Sequence, residues 1–355
     1  MAATMAAADT EILTREDAVR AFLLACGWQD AVRAPIPGDA SFRRYERLRK
    51  GNESAILMDA PPERENTNSF VNAQRYLQHA GYSAPRILHA LPEEGLLLLE
   101  DYGNDSVSLH LRQTPEHEAP IYRDAVALLA KMAQQGLSQV ESSGSRFAPY
   151  SPELLEQEAM LLAQWLLPEI LPVAEVVEAV EAYAAVWRDM LAQSDVAPQV
   201  VTHRDYHADN LFLLSDHKGI ARIGLLDFQD AVLGRPAYDL VSLLEDARRD
   251  VAPKVVADNL RFFSEETGMP QETLLREYAF YGAQRNAKIL GIFTRLYRRD
   301  GKPRYLAMLP RVWNYFEGNL RHPSMAPLLA WRQRYISSAV EARLLNLKYE
   351  LTGEA

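Results

Sequence analysis

Between two apolar runs, Val200-Val201 and Leu211-Phe212-Leu213-Leu214, the chain carries the polar octet His203-Arg204-Asp205-Tyr206-His207-Ala208-Asp209-Asn210. A polar segment walled on both sides by strand-forming residues is held rigidly at a sheet edge. Phosphoryl transfer needs a carboxylate to orient and deprotonate the attacking hydroxyl, and oxygen ligands to hold magnesium against the phosphates. Asp205 and Asn210 supply both residue types within one loop. Further on, Gly224-Leu225-Leu226-Asp227-Phe228-Gln229-Asp230 puts another acid at the end of an apolar strand. There Asp227 is free to bridge a hard cation. Taken singly, Asp205 and Asn210 are also what a hydrogen-bonded turn uses, and Asp227 what a cap uses. The two stretches together, in this order and each at a strand edge, favour phosphoryl transfer. His203, His207, Asp205 and Asp209 also invite a zinc or iron reading, but that reading leaves Asn210 and Asp227 without a role.

Around this centre the pattern divides the chain. Thr14 to Cys26 has helical apolar spacing, with Thr14 as N-cap, Asp17 three residues on and Gly27 as terminator. Short extended pieces follow at 31–36, 42–48 and 54–58, separated by Pro37-Gly38-Asp39 and Lys50-Gly51-Asn52, a hairpin pattern. A helix over 69–80 and two more strands, 86–90 and 95–100, complete a small antiparallel sheet with one helix. Beyond Asp101-Tyr102-Gly103-Asn104 the chain reads as mainly helical, with amphipathic stretches at 119–135, 152–167 and 173–193. The exception is 199–226, where strands are expected at 200–202, 211–214 and 220–226. The expected fold class is therefore α+β, in a small mixed lobe, 1–101, and a mainly helical large lobe, 102–355, with a ligand cleft between them.

Bulk properties narrow the choice. A chain of 355 residues with 48% apolar content is long enough for two ordinary domains. Its net charge of -10 offers no overall field for a polyanion, which weighs against nucleic-acid binding. The single cysteine, Cys26, excludes an internal disulfide and a cysteine-rich metal site, in keeping with a reducing cytoplasm. The alanine-rich opening, Met1 to Thr10, lacks the basic start and apolar core of a signal peptide and reads as a loose tail. No apolar run approaches the roughly 20 residues of a membrane helix. The pattern after Ser324 suits a dimer as well as a core, so it selects no oligomeric state.

The motifs His203-Arg-Asp205-Tyr-His207-Ala-Asp-Asn210, Leu226-Asp227-Phe228 and Gly234-Arg-Pro-Ala-Tyr238-Asp239-Leu240 resemble those of the aminoglycoside phosphotransferase and choline-kinase superfamily, whose catalytic lobe is similar to that of protein kinases. The resemblance covers nearly the whole chain. It implies a bilobal protein-kinase-like fold, Asp205 as catalytic base, Asn210 and Asp227 as ligands of Mg2+, and ATP as co-substrate. It also implies a structural role for Asp239, which ties its helix to the loop, while His203 reads from its place in the octet as packing beneath the loop and holding its backbone. On the nucleotide side the implied contacts are Gly38, Ser41, Phe42, Arg43 and Arg44, in the turn where kinases fold backbone N–H groups over the phosphates, and Glu100 and Tyr102 at the hinge. Many relatives carry a lysine on the third strand; Ser54-Ala55-Ile56-Leu57-Met58-Asp59 offers none. Arg43 or Arg44 on the preceding strand is the expected replacement.

Within the superfamily, Gly38-Asp-Ala-Ser-Phe-Arg-Arg-Tyr45, Met58-Asp-Ala-Pro-Pro62, Leu98-Leu-Glu-Asp-Tyr-Gly103 and Gln284-Arg285-Asn-Ala-Lys288-Ile-Leu-Gly-Ile-Phe293 look like the bacterial anomeric N-acetylmuramate/N-acetylglucosamine kinases. That resemblance implies phosphorylation of an amino sugar at its anomeric hydroxyl in cell-wall recycling, with an effect on fosfomycin sensitivity. His207, Gln229, Gln284 and Arg285 are the residues expected on the sugar. Local charge agrees: residues 284–311 hold eight basic residues against one acid, Asp300. Such a patch suits an anionic sugar better than polycationic aminoglycosides or choline, although most of these arginines also fit a solvated helix face. The alternatives are another hydroxyl acceptor (aminoglycoside, choline, homoserine or a fructosamine) and, in a different class, a non-catalytic nucleotide-binding protein.

Overall fold

The computed structural model describes residues 14–37 and 42–352. The alanine-rich opening and the turn residues Gly38 and Ser41 lie outside them. The chain forms two compact units, one of residues up to 74 with 84–103, the other of 75–83 with 104 onward.

In the first unit, α1 (Arg15–Ala25) begins at the expected capping box: the Thr14 side chain accepts from the Asp17 amide, and Asp17 accepts from the Thr14 amide. Strands β1 (Val32–Ile36), β2 (Arg44–Lys50), β3 (Glu53–Asp59), β4 (Ile87–Leu91) and β5 (Leu96–Glu100) make one antiparallel sheet in the order β1-β2-β3-β5-β4. Alternation along the strands puts Leu48, Ala55, Leu57, Leu96 and Leu98 on one face, packed in a single core with Val19, Phe22 and Leu23 of α1. β5 lies between β3 and β4, and all of Leu96–Leu99 are buried. An interior strand covered on both faces has no reason to alternate, hence the unbroken leucine run. Gly95, ahead of β5, has φ +66°, and a Cβ there would stand 1.8 Å from the Ala60 carbonyl oxygen. Only glycine fits this close approach, which the Ala60 amide seals by donating to the Gly95 carbonyl at 2.8 Å.

Helix α2 (Thr67–His79) passes from one unit into the other. A single break after residue 101 is thus not what the packing gives, because 75–83 join the second unit. Tyr76 is buried edge-on against Phe147 at 5.4 Å, and the Ser83 carbonyl accepts from the Leu225 amide at 2.7 Å.

The second unit contains α3 (Val107–Gln113), α4 (Glu118–Gln135), α5 (Ser138–Ser143), α6 (Pro152–Leu161), α7 (Leu167–Ile170) and α8 (Val173–Gln193). After the polar interval come α9 (Pro236–Leu244), α10 (Pro253–Thr267), α11 (Gln271–Asp300), α12 (Leu309–Leu320), α13 (Ala326–Tyr335), α14 (Ser338–Leu345) and α15 (Leu347–Thr352). The long α11 packs against α6, α9 and α12 and forms the axis of this unit. Two short antiparallel pairs carry the polar loops: β6 (Val200–Thr202) with a strand absent from the sequence reading, β9 (Val232–Gly234), and β7 (Leu211–Leu213) with β8 (Ile223–Leu225). The strand expected over 220–226 is shorter, because Gly219–Arg222 coil into a 3-10 turn before it. Helix 152–167 is also interrupted: after α6 the backbone widens into a π turn at Leu162–Leu166. No helix among the described residues is long and apolar enough to cross a membrane.

Candidate active site

The octet His203–Asn210 leaves β6 and is fastened at nearly every step. The His203 and Arg204 amides donate to the two carboxylate oxygens of Asp239 at 2.6 and 2.9 Å. Arg204 sits at φ +75°, a conformation that costs a side-chain-bearing residue about 1–3 kcal/mol unless its surroundings enforce it. Here they do: beyond the Asp239 clasp, its guanidinium binds Glu158 and the Asp230 carbonyl. Burial pushes the Asp239 carboxyl up to about 6, against the pull of His203 and the two amides. Tyr206, fully buried, donates to the Ala125 carbonyl at 2.8 Å, and the Ala208 amide donates to Asp246 at 3.3 Å. His203 packs edge-on to Tyr206 beneath the loop, and neither of its ring nitrogens has a partner among the described residues.

The loop folds back on itself around Asp205. Its carbonyl accepts from the His207 amide and from Asn210 Nδ2, both at 3.0 Å. The Leu226 amide donates to the Asn210 carbonyl at 3.0 Å, which brings the residue after β8, Asp227, beside Asn210. Asn210 Nδ2 stands 3.4 Å from Asp227 Oδ2, and Gln229 Nε2 donates to Asp227 Oδ1 at 2.9 Å. Asp227 itself has φ +62° and is exposed. The donor set here is one carboxylate and one amide, oxygen ligands suited to magnesium, which completes its shell with phosphate and water. No group of three or more His, Cys, Asp or Glu suited to a metal occurs among the described residues. Gln229, expected on the sugar, is buried and bonds Asp227 and Asp230.

Asp205 lines a pocket of about 120 Å³ made wholly by the second unit. Arg204, His207, Tyr238 and Arg248 share it with one face of α11: Arg285, Lys288, Ile289, Ile292 and Phe293. Burial works against the Asp205 charge, but the cations Lys288 and Arg285 outweigh it and hold the carboxyl below the usual range. His207 is driven well below the ordinary imidazole value by burial and by Arg248, whose Nη1 lies 3.4 Å away, so its ring is neutral. Arg248 pairs with Asp209 at 3.3 Å, whereas Arg204 and Lys288 share Glu158. Arg285 meets only the Glu245 backbone carbonyl, at 3.5 Å. Along the pocket lining four cations, Arg204, Arg248, Arg285 and Lys288, face one carboxylate, Asp205, while Glu158 and Asp209 pair with three of the four.

Of the residues expected on the sugar, His207 and Arg285 line this pocket. Gln284 is a correction: it has no exposed surface and donates to the Leu155 carbonyl at 3.0 Å, because one step along α11 turns its side chain from the pocket into the core. Sequence reasoning missed Lys288, although it lies three residues after Arg285 on the same helix face. It also missed Arg248 and Glu158, which stand far from any motif.

On the first unit, Arg43 pairs with Glu65 at 3.1 Å, both side chains largely buried, whereas Arg44 is exposed at the start of β2. Phe42 is exposed with the Arg64 guanidinium over its ring at 4.6 Å. The Glu100 carboxylate is engaged by Arg86 at 3.2 Å, while its amide donates to the Arg86 carbonyl. Tyr102 is half-buried, and burial pushes its hydroxyl up. The segment is braced by a residue the sequence did not suggest, Arg47, which reaches Asp101 at 2.8 Å and the Gly103 carbonyl at 2.7 Å.

The "N-acetylmuramate/N-acetylglucosamine kinase" of Caulobacter vibrioides is 37% identical over 353 residues, covering 91% of this chain and 97% of that one. The protein of the same name from Pseudomonas aeruginosa is 35% identical, over 85% and 89% of the two chains. Among solved structures, a choline/ethanolamine kinase family protein from Mesorhizobium loti superposes with a TM-score of 0.60 at 15% identity, over 90% of this chain and 100% of that one, a likeness of fold. The model of the phosphotransferase enzyme family matches residues 32–280, and the chain belongs to that family.

Proposed function

We propose that this protein is an ATP-dependent sugar kinase that phosphorylates N-acetylmuramate and N-acetylglucosamine at the anomeric hydroxyl. The observation that carries the reading is the pocket in which ionised Asp205 shares its walls with an excess of cationic side chains. An acceptor hydroxyl beside Asp205 is oriented by a carboxylate that stays charged, and the transition state asks for positioning more than for a strong base. Asn210 and Asp227 are the proposed magnesium ligands. The ion, when bound, would neutralise charge on the transferring phosphoryl group. Gln229, bonded to Asp227 Oδ1, keeps that carboxylate turned to one side. On the nucleotide, Arg43 held by Glu65 is the proposed replacement for the missing strand lysine, and the hinge backbone near Glu100 and Tyr102 is the proposed adenine contact.

The excess positive charge along the pocket lining suits a monoanion, as the lactyl-bearing muramate is, and Arg285 is the proposed contact because it forms no ion pair with a carboxylate among the described residues. The same charge weighs against choline and aminoglycosides as acceptors. Places in cell-wall recycling and in fosfomycin sensitivity, and a cytoplasmic location, are proposals that follow from the acceptor.

The test is phosphorus NMR of the protein with magnesium-ATP and N-acetylmuramate, beside Asp205→Ala. A sugar 1-phosphate resonance from wild type, absent from the variant, is expected. If ADP binds to the protein while no sugar phosphate forms, the acceptor assigned here is wrong.

A further inference from the structure

Beneath the acceptor pocket lies a carboxylate with no place in the chemistry described so far. Glu158, on α6, is 7% exposed and takes bonds from four side chains: Arg204, Tyr150, Lys288 at 3.1 Å and Gln284 Nε2 at 3.5 Å. Two of these partners are pocket walls on different elements. Arg204 precedes Asp205 in the loop, and Lys288 stands on α11 one helical turn from Arg285. Burial opposes the Glu158 charge, but Lys288 and Arg204 outweigh it, so the carboxylate is ionised.

An ionised group buried under two cations costs desolvation energy that a neutral core would avoid. The return lies in geometry. Arg204 occupies a left-handed backbone conformation that persists only where its surroundings over-determine it. Asp239 holds its amide, and Glu158, together with the Asp230 carbonyl, holds the far end of its side chain. On the opposite wall the flexible Lys288 stem would swing outward without a partner, and Glu158 holds its ammonium in the pocket.

We propose that Glu158 is a positioning residue for phosphoryl transfer, holding the backbone before Asp205 through Arg204 and the cationic acceptor wall through Lys288. The inference rests on the reading of Asp205 as the residue that orients the acceptor. Two links leave two signatures: the Arg204 link acts on kcat, the Lys288 link on the sugar KM.

The experiment measures sugar kinetics with N-acetylglucosamine and N-acetylmuramate, and ADP affinity by calorimetry, for wild type and for Glu158→Gln, Lys288→Met, the double variant and Asp205→Ala. Glu158→Gln is expected to lower kcat ten-fold or more and to raise the sugar KM five-fold or more, with ADP affinity within two-fold of wild type. Lys288→Met should raise the sugar KM with a much smaller change in kcat, and the double variant should show no further rise, because Lys288 acts through the same anchor. Should Glu158→Gln not fold, Glu158→Asp, which keeps the charge but shortens the reach, takes its place with the same direction of change. A folded Glu158 variant with kcat and sugar KM within two-fold of wild type overturns the proposal. So does one that loses ADP affinity in step with sugar turnover, as a general loosening of the fold would. Retained turnover in Asp205→Ala would instead remove the base reading on which the inference stands.

Discussion

Arg285 shows how much of a residue's role depends on what its neighbours already hold. Arg204 and Lys288 share Glu158, and Arg248 pairs with Asp209, so each of the three already has an ion pair to lose. Arg285 hydrogen-bonds only a backbone carbonyl and forms no ion pair among the described residues, so a carboxylate arriving beside it gains a charge-assisted bond without breaking one. Arg285→Ala is therefore expected to reduce kcat/KM for N-acetylmuramate by ten-fold or more beyond its effect on N-acetylglucosamine, about 1.4 kcal/mol of discrimination. Equal losses on the two sugars in a side-by-side steady-state assay would dismiss the carboxylate contact. At this scale the convergence of Asp205, Asn210 and Asp227, polar residues at strand edges, was legible in the sequence, and the structure gathers them through Asp205 O, Asn210 Nδ2 and Asp227 Oδ2. Glu158 was not, since a glutamate on an amphipathic helix reads as solvent-facing until tertiary structure places Arg204 and Lys288 over it. Gln284 failed for the converse reason. A polar residue beside Arg285 reads as a partner, yet neighbours on a helix point about 100° apart.

Among the elements, α11 shapes the pocket, and its position is set by a contact that periodicity cannot reveal. A Cβ on Gly291 would lie 2.2 Å from both the carbonyl carbon and oxygen of Leu161, the last residue of α6 before the π turn. The helices meet there backbone to backbone, and the widened turn that follows accompanies the approach. Sequence spacing gave a helix over 152–167 correctly in kind, but a π turn adds one residue to a turn without altering the apolar composition, so no pattern marks it. The strand expected at 220–226 was overextended for a similar reason: Ile220 and Ala221 are apolar in a 3-10 turn as readily as in a strand. Gly291→Ala is expected to destabilise the protein by about 3 kcal/mol or more, because the obstacle is backbone that cannot step aside. A fall in melting temperature together with a raised sugar KM is the expected pair of readings, since α6 carries Glu158 and α11 carries Lys288. An alanine variant as stable as wild type would mean that the two helices separate freely.

For the molecule as a whole, the two-lobe α+β plan was legible because the extended pieces gather mostly before residue 101 and long amphipathic helices dominate beyond it, the strands near the polar octet excepted. The transfer of 75–83 to the second unit was not, since it depends on Tyr76 and Ser83 finding distant partners, Phe147 and Leu225. The second unit also stores a pH dependence that composition conceals. Glu245, buried at the end of α9, accepts from Asn286 of α11 at 2.7 Å and from Asn319 of α12 at 2.9 Å, so one carboxylate joins three helices. Burial raises it to about 7, more than the two amides, Tyr278 and Arg285 can offset. A carboxyl raised in the fold above its unfolded value contributes stability that is complete below the unfolded value and is lost as pH rises through the folded one. The window is therefore pH 4.5 to about 7, with about 3 kcal/mol at stake across it. Glu245→Gln removes this titration while leaving one carbonyl acceptor for the two asparagines. Chemical unfolding at pH 5 and pH 8 should show wild type losing ground to the variant as pH rises, whichever of the two is the more stable at pH 5. A stability difference that stays constant between the two pH values would mean that Glu245 ionises in the native protein as it does in the unfolded chain, and that the three helices are joined by a permanent charge.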